Sequence, residues 1–144
     1  MATSLQELAR LAVKARRMSY SPYSHYQVGA ALLCEDGSIY TGCNIESTSY
    51  TPTNCAERTA VFKAVSEGYR RFVAIAIAGG PQDCPEDALP PAWPCGVCRQ
   101  VLREFCDPTT FTVAVVSGKG FSSHTLEELL PHSFGPSDLS APSV

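Results

Sequence analysis

Two cysteines three positions apart, Cys95 and Cys98, stand in the run Pro94-Cys95-Gly96-Val97-Cys98-Arg99-Gln100, at the head of a segment with helical spacing. From there both sulfurs can reach one point in space, which suits either a redox dithiol or a metal clip. A third cysteine, Cys55, opens a second such segment, Asn54-Cys55-Ala56-Glu57-Arg58-Thr59-Ala60. Each segment follows a loop that leaves a predicted strand. Two helix starts side by side on a sheet bring three thiols together, and the helix dipoles favour their thiolate forms.

Three sulfur ligands suit zinc, whereas a structural zinc site is normally closed by four protein ligands. Cys106 lies about two to three turns further along its helix and points elsewhere. Cys34, Cys43 and Cys84 have no ligand-like spacing. Cys34, Cys43 and Cys106 read as small packing residues, and Cys84, in a long loop, as the most exposed thiol. His124 and His132 read as surface residues. The fourth position on the metal is therefore expected to hold water, a hydroxide source at neutral pH that needs a proton carrier beside it. Glu57, on the same first turn as Cys55, is placed for that task. Three thiolates around one Zn²⁺ leave a net negative charge, which Arg58 and Arg99 are expected to offset by hydrogen bonding to sulfur.

The elements that must hold these residues can be read from periodicity. Leu5, Leu8, Ala12 and Ala15 predict a helix that ends near Ser19, opened by a capping box from Ser4 to Glu7. Residues 28–34 and 38–43 read as a hairpin turned by Glu35-Asp36-Gly37. A polar loop over 44–54 leads to a helix over 55–67 that Gly68 stops. Residues 72–78 form a continuous apolar run suited to a strand buried on both faces, followed by a Pro-rich acidic connection over 79–94. A helix over 95–105 is expected to turn Val97, Val101, Leu102 and Phe105 inward. Strands over 111–116 and 121–124 are joined by a connection too short for a parallel crossover, so they should be antiparallel. Thr125 and Glu128 form a second capping box, and Pro131 ends that short helix. The tail from Gly135 is expected to fray. The order predicts an α/β domain of three layers, one mixed sheet between helices.

Composition narrows the function. The chain has 144 residues, 44% hydrophobic and 17% charged, which is globular composition and suits a single domain over 1–144. A net charge of −3 with no basic run argues against nucleic acid or an anionic membrane as a partner. No apolar run approaches membrane-spanning length. Seven cysteines, an odd number with no apolar leader before the first helix, argue against a secreted disulfide scaffold. The basic N-terminal stretch raises a mitochondrial presequence, but Glu7 and its capping box favour an ordinary amphipathic helix. A cytoplasmic protein with reduced thiols is expected.

Cys-Ala-Glu-Arg-Thr-Ala with Pro-Cys-Gly-Val-Cys-Arg-Gln resembles the zinc-dependent cytidine deaminases, and most closely their small, single-domain, homotetrameric branch. The resemblance extends to Ser21-Pro22-Tyr23-Ser24, to Gly42-Cys43-Asn44-Ile45-Glu46, and to Glu128-Leu129-Leu130-Pro131 running on to Ser133-Phe134-Gly135-Pro136. It implies a five-stranded cytidine-deaminase-like sheet and a Zn²⁺ cofactor held by Cys55, Cys95 and Cys98. It further implies hydrolytic deamination of free cytidine and deoxycytidine in pyrimidine salvage. Glu57 would protonate N3, hydroxide on zinc would attack C4, and Glu57 would then help ammonia leave. By the same resemblance Asn44 and Glu46 bind the ribose 3′-hydroxyl, the Ala56 amide meets the base carbonyl, and the Trp93 carbonyl receives the departing amine. Tyr26 lies against the nucleoside, and Tyr50 and Phe134 reach into or line a neighbouring subunit's site.

The sequence departs from the family pattern at Tyr26, which replaces a Phe, and at Trp93, which replaces a small residue. It departs again at Ser47-Thr48-Ser49 and in the length of the 79–94 connection. These bear on substrate range. Two alternatives stand beside this reading: a deaminase of another base, drug or polynucleotide, and a non-catalytic protein with a structural zinc or a redox pair. Nucleic-acid-acting relatives often carry His as the first ligand and parallel last strands, against the features here. Asn44 with Glu46 points to a ribose.

Overall fold

The computed structural model describes residues 3–139. Helix α1, Leu5–Arg16, begins where the Glu7 amide donates to the Ser4 hydroxyl at 3.1 Å, but the expected capping box is only half made, because the Glu7 carboxylate accepts from Arg10 instead of the Ser4 amide. It ends at Arg16, before the expected Ser19, because the Arg17, Met18 and Ser19 amides each bond three residues back and tighten the last turn. Strands β1, Tyr26–Cys34, and β2, Ile39–Cys43, form the expected antiparallel hairpin. Then follow α2, Ala56–Ser66; β3, Phe72–Pro81; α3, Gly96–Phe105; β4, Thr112–Ser117; β5, Gly120–Thr125; and α4, Leu126–Leu129.

The sheet order is β2-β1-β3-β4-β5, with β3 and β4 parallel and every other pair antiparallel. The antiparallel β4–β5 pair agrees with the short connection read between them. β3 outruns its expected end because β1 continues to pair with it as far as Tyr26 opposite Pro81. The connection after β3 is accordingly shorter than the sequence suggested, and it contains a 3-10 turn at Glu86–Ala88.

β3 is buried on both faces but uses them differently. Ile75 and Ile77 join Leu32, Val113 and Val115 in the core beneath α2 and α3. Ala74, Ala76 and Ala78 join Ala31 and Ala114 beneath α1, where small side chains let the helix lie close. The result is three layers, with α1 on one face and α2, α3 and the short α4 on the other. On α3 the inward stripe is Cys98, Val101, Leu102 and Phe105. Val97 falls off that stripe and is 57% exposed, contrary to expectation.

This topology positions the thiols. β2 and β3 both run antiparallel to β1, and β4 runs parallel to β3. The connections leaving β2 and β3 therefore emerge at one edge of the sheet, and each ends at a cysteine-bearing helix start. Reciprocal bonds between the Ile45 and Asn54 backbones, both 2.9 Å, pin the two ends of the 44–54 loop together. Beyond β5, Thr125 and Glu128 make the expected capping box. The segment expected to fray instead forms a 3-10 turn at Pro136–Leu139, while 140–144 lie outside the described residues. Among the described residues no helix is long and apolar enough to cross a membrane.

Candidate metal centre and active site

Cys55 and Cys95 occupy the N-cap positions of α2 and α3, with extended backbone at φ −76°, ψ 156° and φ −67°, ψ 166°. Their side chains leave the helix ends there, while Cys98 sits buried in the first turn of α3. Cys55 Sγ lies 3.7 Å from Cys95 Sγ, Cys95 Sγ lies 3.4 Å from Cys98 Sγ, and all three sulfurs fall within 4.8 Å of one another. Sulfurs about 2.3 Å from one tetrahedral zinc stand about 3.8 Å apart, so the cluster fits that ion. Among the described residues no other His, Cys, Asp or Glu joins the three. All seven cysteines are free thiols.

The cluster is electrostatically prepared for a cation. A hydrogen bond from Cys98, assisted by Arg58 and Cys95, holds the Cys55 thiol below its ordinary range. The same bond, with burial, pushes Cys98 up. A metal at the centre deprotonates all three. Arg58 Nη2 donates to Cys55 Sγ at 3.4 Å, as expected, and its buried Nε has no partner. Arg99 does not reach sulfur. Its Nε donates to the Pro94 carbonyl at 2.7 Å and its Nη1 to the Leu129 carbonyl, because its position on α3 faces the carbonyl-rich end of α4. Arg99 thus ties the residue before Cys95 to a distant helix.

Glu57 is 3% exposed beside these thiols, and burial pushes its carboxyl up to about 7. It lines a cavity of about 250 Å³ together with Cys55, Cys95, Tyr26, Asn44, Ala56 and Trp93. Ala56 is the first residue of α2, where main-chain N–H groups have no helical acceptor. A larger groove of about 810 Å³ lies between α1 and the β4–β5 hairpin and contains none of the three thiols.

Asn44 is held by the fold at both ends of its side-chain amide. Its Oδ1 accepts from the Val28 amide at 2.9 Å and from the Ser19 hydroxyl, and its Nδ2 donates to the Tyr26 carbonyl at 2.8 Å. One Nδ2 proton remains for a ligand. Glu46 lies in an adjoining hollow of about 400 Å³ with Tyr23, Ser24 and Tyr50, and Thr53 lines both spaces. Its carboxylate accepts from the Ser24 hydroxyl and from the Tyr23 and Ser24 amides, which hold it below the usual carboxylate range.

Tyr50 lines the hollow of its own Glu46, edge-on to Tyr23 with ring centroids 6.1 Å apart. It sits at φ 63° and is 71% exposed. Phe134 lines neither space. The fold thus gathers Cys55, Glu57, Cys95, Cys98, Tyr26, Asn44, Ala56 and Trp93, places Glu46 and Tyr50 next door, and leaves Phe134 outside.

Some neighbours escaped the sequence reading. His124 is half-buried beneath Trp93, with ring centroids 4.9 Å apart, and its Nε2 meets Ser122 Oγ at 2.8 Å. Cys84 is half-buried, its thiol donating to the Ala88 carbonyl at 3.5 Å, and Cys95 is the exposed cysteine instead. Neither contact carries a periodicity or spacing signal.

The model of the cytidine and deoxycytidylate deaminase zinc-binding region matches residues 2–114, a span that includes all three clustered cysteines. The chain belongs to this family. Its similarity to the cytidine deaminase of Sporosarcina psychrophila is 48% identity over 137 residues, covering 94% of this chain and 95% of that one. To the cytidine deaminase of Halalkalibacterium halodurans it is 47% over 134 residues, covering 93% and 96%. Among solved structures, the cytidine deaminase of Burkholderia pseudomallei superposes with a TM-score of 0.81 at 40% identity, covering 92% of this chain and all of that one. The deaminase fold and the zinc-type ligand set of this chain therefore agree with its sequence motifs.

Proposed function

We propose that this deaminase-family protein hydrolyses free cytidine and 2′-deoxycytidine to the corresponding uridines and ammonia, as a step of pyrimidine salvage. The observation that carries this reading is the convergence of three thiols on one point beside a buried carboxyl that lines the same cavity as Cys55 and Cys95. Zinc, when bound by Cys55, Cys95 and Cys98, supplies Lewis-acid activation of the attacking water. Glu57 does the proton work. It takes a proton from that water and delivers it to N3 as C4 is attacked, then takes the proton of the resulting C4 hydroxyl and passes it to the amino group, which leaves as ammonia while C4 becomes a carbonyl. Burial raises this carboxyl above the ordinary carboxylate range in the metal-free chain, so it is a group that can hold a proton as well as release one.

The remaining residues orient the substrate. The Ala56 amide donates to the base carbonyl, and the Trp93 carbonyl accepts from the departing amine. Tyr26 lies against the nucleoside, its hydroxyl adding a polar edge to an aromatic wall. Asn44 offers its free Nδ2 proton, and Glu46 its carboxylate, to the ribose 3′-hydroxyl. Arg58 offsets the charge of the thiolates. No Lys or Arg lines either hollow, which favours a nucleoside over a nucleotide or polynucleotide. The single domain works as a homotetramer in the cytoplasm, where Tyr50 and Phe134 meet a neighbouring subunit's site. Seven free thiols suit a reducing compartment.

Cytidine, deoxycytidine and their 5′-monophosphates offered to the purified protein provide the test, with ammonia release and zinc content as readouts. Both nucleosides should turn over and the monophosphates far more slowly, with about one zinc per chain. Preference for the monophosphates, or active protein free of zinc, would sink the reading.

A further inference from the structure

Helix α3 carries two of the cysteines, and its outer face also grips the C-terminal segment. Gln100 Nε2 donates to the Phe134 carbonyl at 2.8 Å, and Arg103 Nε donates to the Ser133 hydroxyl at 2.9 Å. The two side chains are three positions apart and so share one face of the helix. Gly135 lies flat against the guanidinium: a methyl group placed on it would fall 2.3 Å from Arg103 Cζ. On the other side the Gly135 amide donates to the Asp138 carboxylate at 2.8 Å and closes the Pro136–Leu139 turn. The backbone on both sides of Phe134 is therefore fixed, yet its ring is 58% exposed. Covering such a ring would remove apolar surface from water at little further cost in backbone freedom.

We propose that Gln100 and Arg103 are positioning residues, which clasp residues 133–135 and aim the Phe134 ring at the nucleoside site of a second copy of this chain. The inference rests on the reading of Phe134 given under Proposed function. Its physical content is pre-organisation. A ring whose backbone is already fixed loses less freedom when it meets a ligand, so the clasp acts on substrate affinity and leaves the chemical step alone.

The test uses the assembled, zinc-loaded full chain and the variants Phe134→Ala, Arg103→Ala and Gly135→Ala. Gly135 has no positive φ, so alanine there is conformationally allowed and displaces Arg103 without deleting its charge. Arg103→Ala and Gly135→Ala should each raise KM for cytidine about fivefold, the scale of one hydrogen bond. Both should leave kcat, zinc content and assembly unchanged, and both should speed amide exchange at 134–138. Neither should raise KM further when combined with Phe134→Ala. If Phe134→Ala raises KM and the other two do not, the clasp is wrong while the role of Phe134 stands. If Phe134→Ala leaves KM unchanged, the reading of Phe134 fails and the clasp falls with it. Loss of zinc or of kcat in the clasp variants would reduce them to structural damage and overturn the proposal.

Discussion

At Glu57 a carboxyl is buried to 3% exposure next to a thiol that favours its charged form, and both facts oppose its ionisation. The folded carboxyl titrates at about 7 against an ordinary 4.5. Between those values the folded chain keeps a proton that the unfolded chain has lost, so this group's contribution to stability falls as pH rises through the window. The cost is complete above about pH 7 and absent below about pH 4. In metal-free protein Glu57→Gln should therefore gain about 2–3 kcal/mol over the wild type near pH 8, a gain that disappears near pH 4. Urea unfolding at the two pH values measures it. An equal difference at both would show that Glu57 is not the titrating group. The place of Glu57 beside the thiols was legible from its position on the first turn after Cys55. Its burial was not, since burial depends on Ala56, Ile77 and other neighbours that fold around the cavity.

At the scale of elements, the placement of α2 decides whether Cys55 meets Cys95. Gly42 on β2 makes that placement possible, because a Cβ there would lie 2.5 Å from the Ala56 carbonyl oxygen and 2.6 Å from the Ala60 nitrogen. Both are backbone atoms, and only a shift of the helix can relieve such a contact. Gly42→Ala should destabilise the fold by about 2 kcal/mol and weaken zinc retention with it. Thermal melting and competition with a chelator report the two effects, and a melt lowered without any loss of zinc would separate the helix position from the metal site. The hairpin and both capping interactions could be read from sequence because their determinants lie within a few residues: Glu35-Asp36-Gly37, Ser4 with Glu7, and Thr125 with Glu128. Arg99 could not be read correctly. Its neighbours in sequence are the clustered cysteines Cys95 and Cys98, but its partner Leu129 stands thirty positions away on α4. Val97 was misplaced by a single step of helical phase, and the stacking of His124 under Trp93 depends on the fold of the sheet edge.

At the scale of the whole molecule, the proposed site draws on residues both inside and outside the cavity that one chain forms. The cavity around Glu57 is lined by residues of β1, of the connections and of the α2 start, whereas Phe134 stands outside it and exposed. The antiparallel direction of β4 and β5 was legible because their connection is short, whereas the order of the strands was not, and the sequence motifs carried the family directly. Assembly was not legible, since it depends on surfaces with no periodic signature. The chain should sediment as a tetramer at micromolar concentration, and dilution into monomers should raise KM for cytidine before zinc is lost. A monomer with unchanged KM would exclude a shared site. The most direct measurement remains at Glu57 in the zinc-loaded protein. With cytidine as substrate, Glu57→Gln should lower turnover by about 100-fold or more while the metal content stays that of the wild type. Turnover that persists at the wild-type rate in that variant would contradict the assignment of Glu57 as the proton carrier.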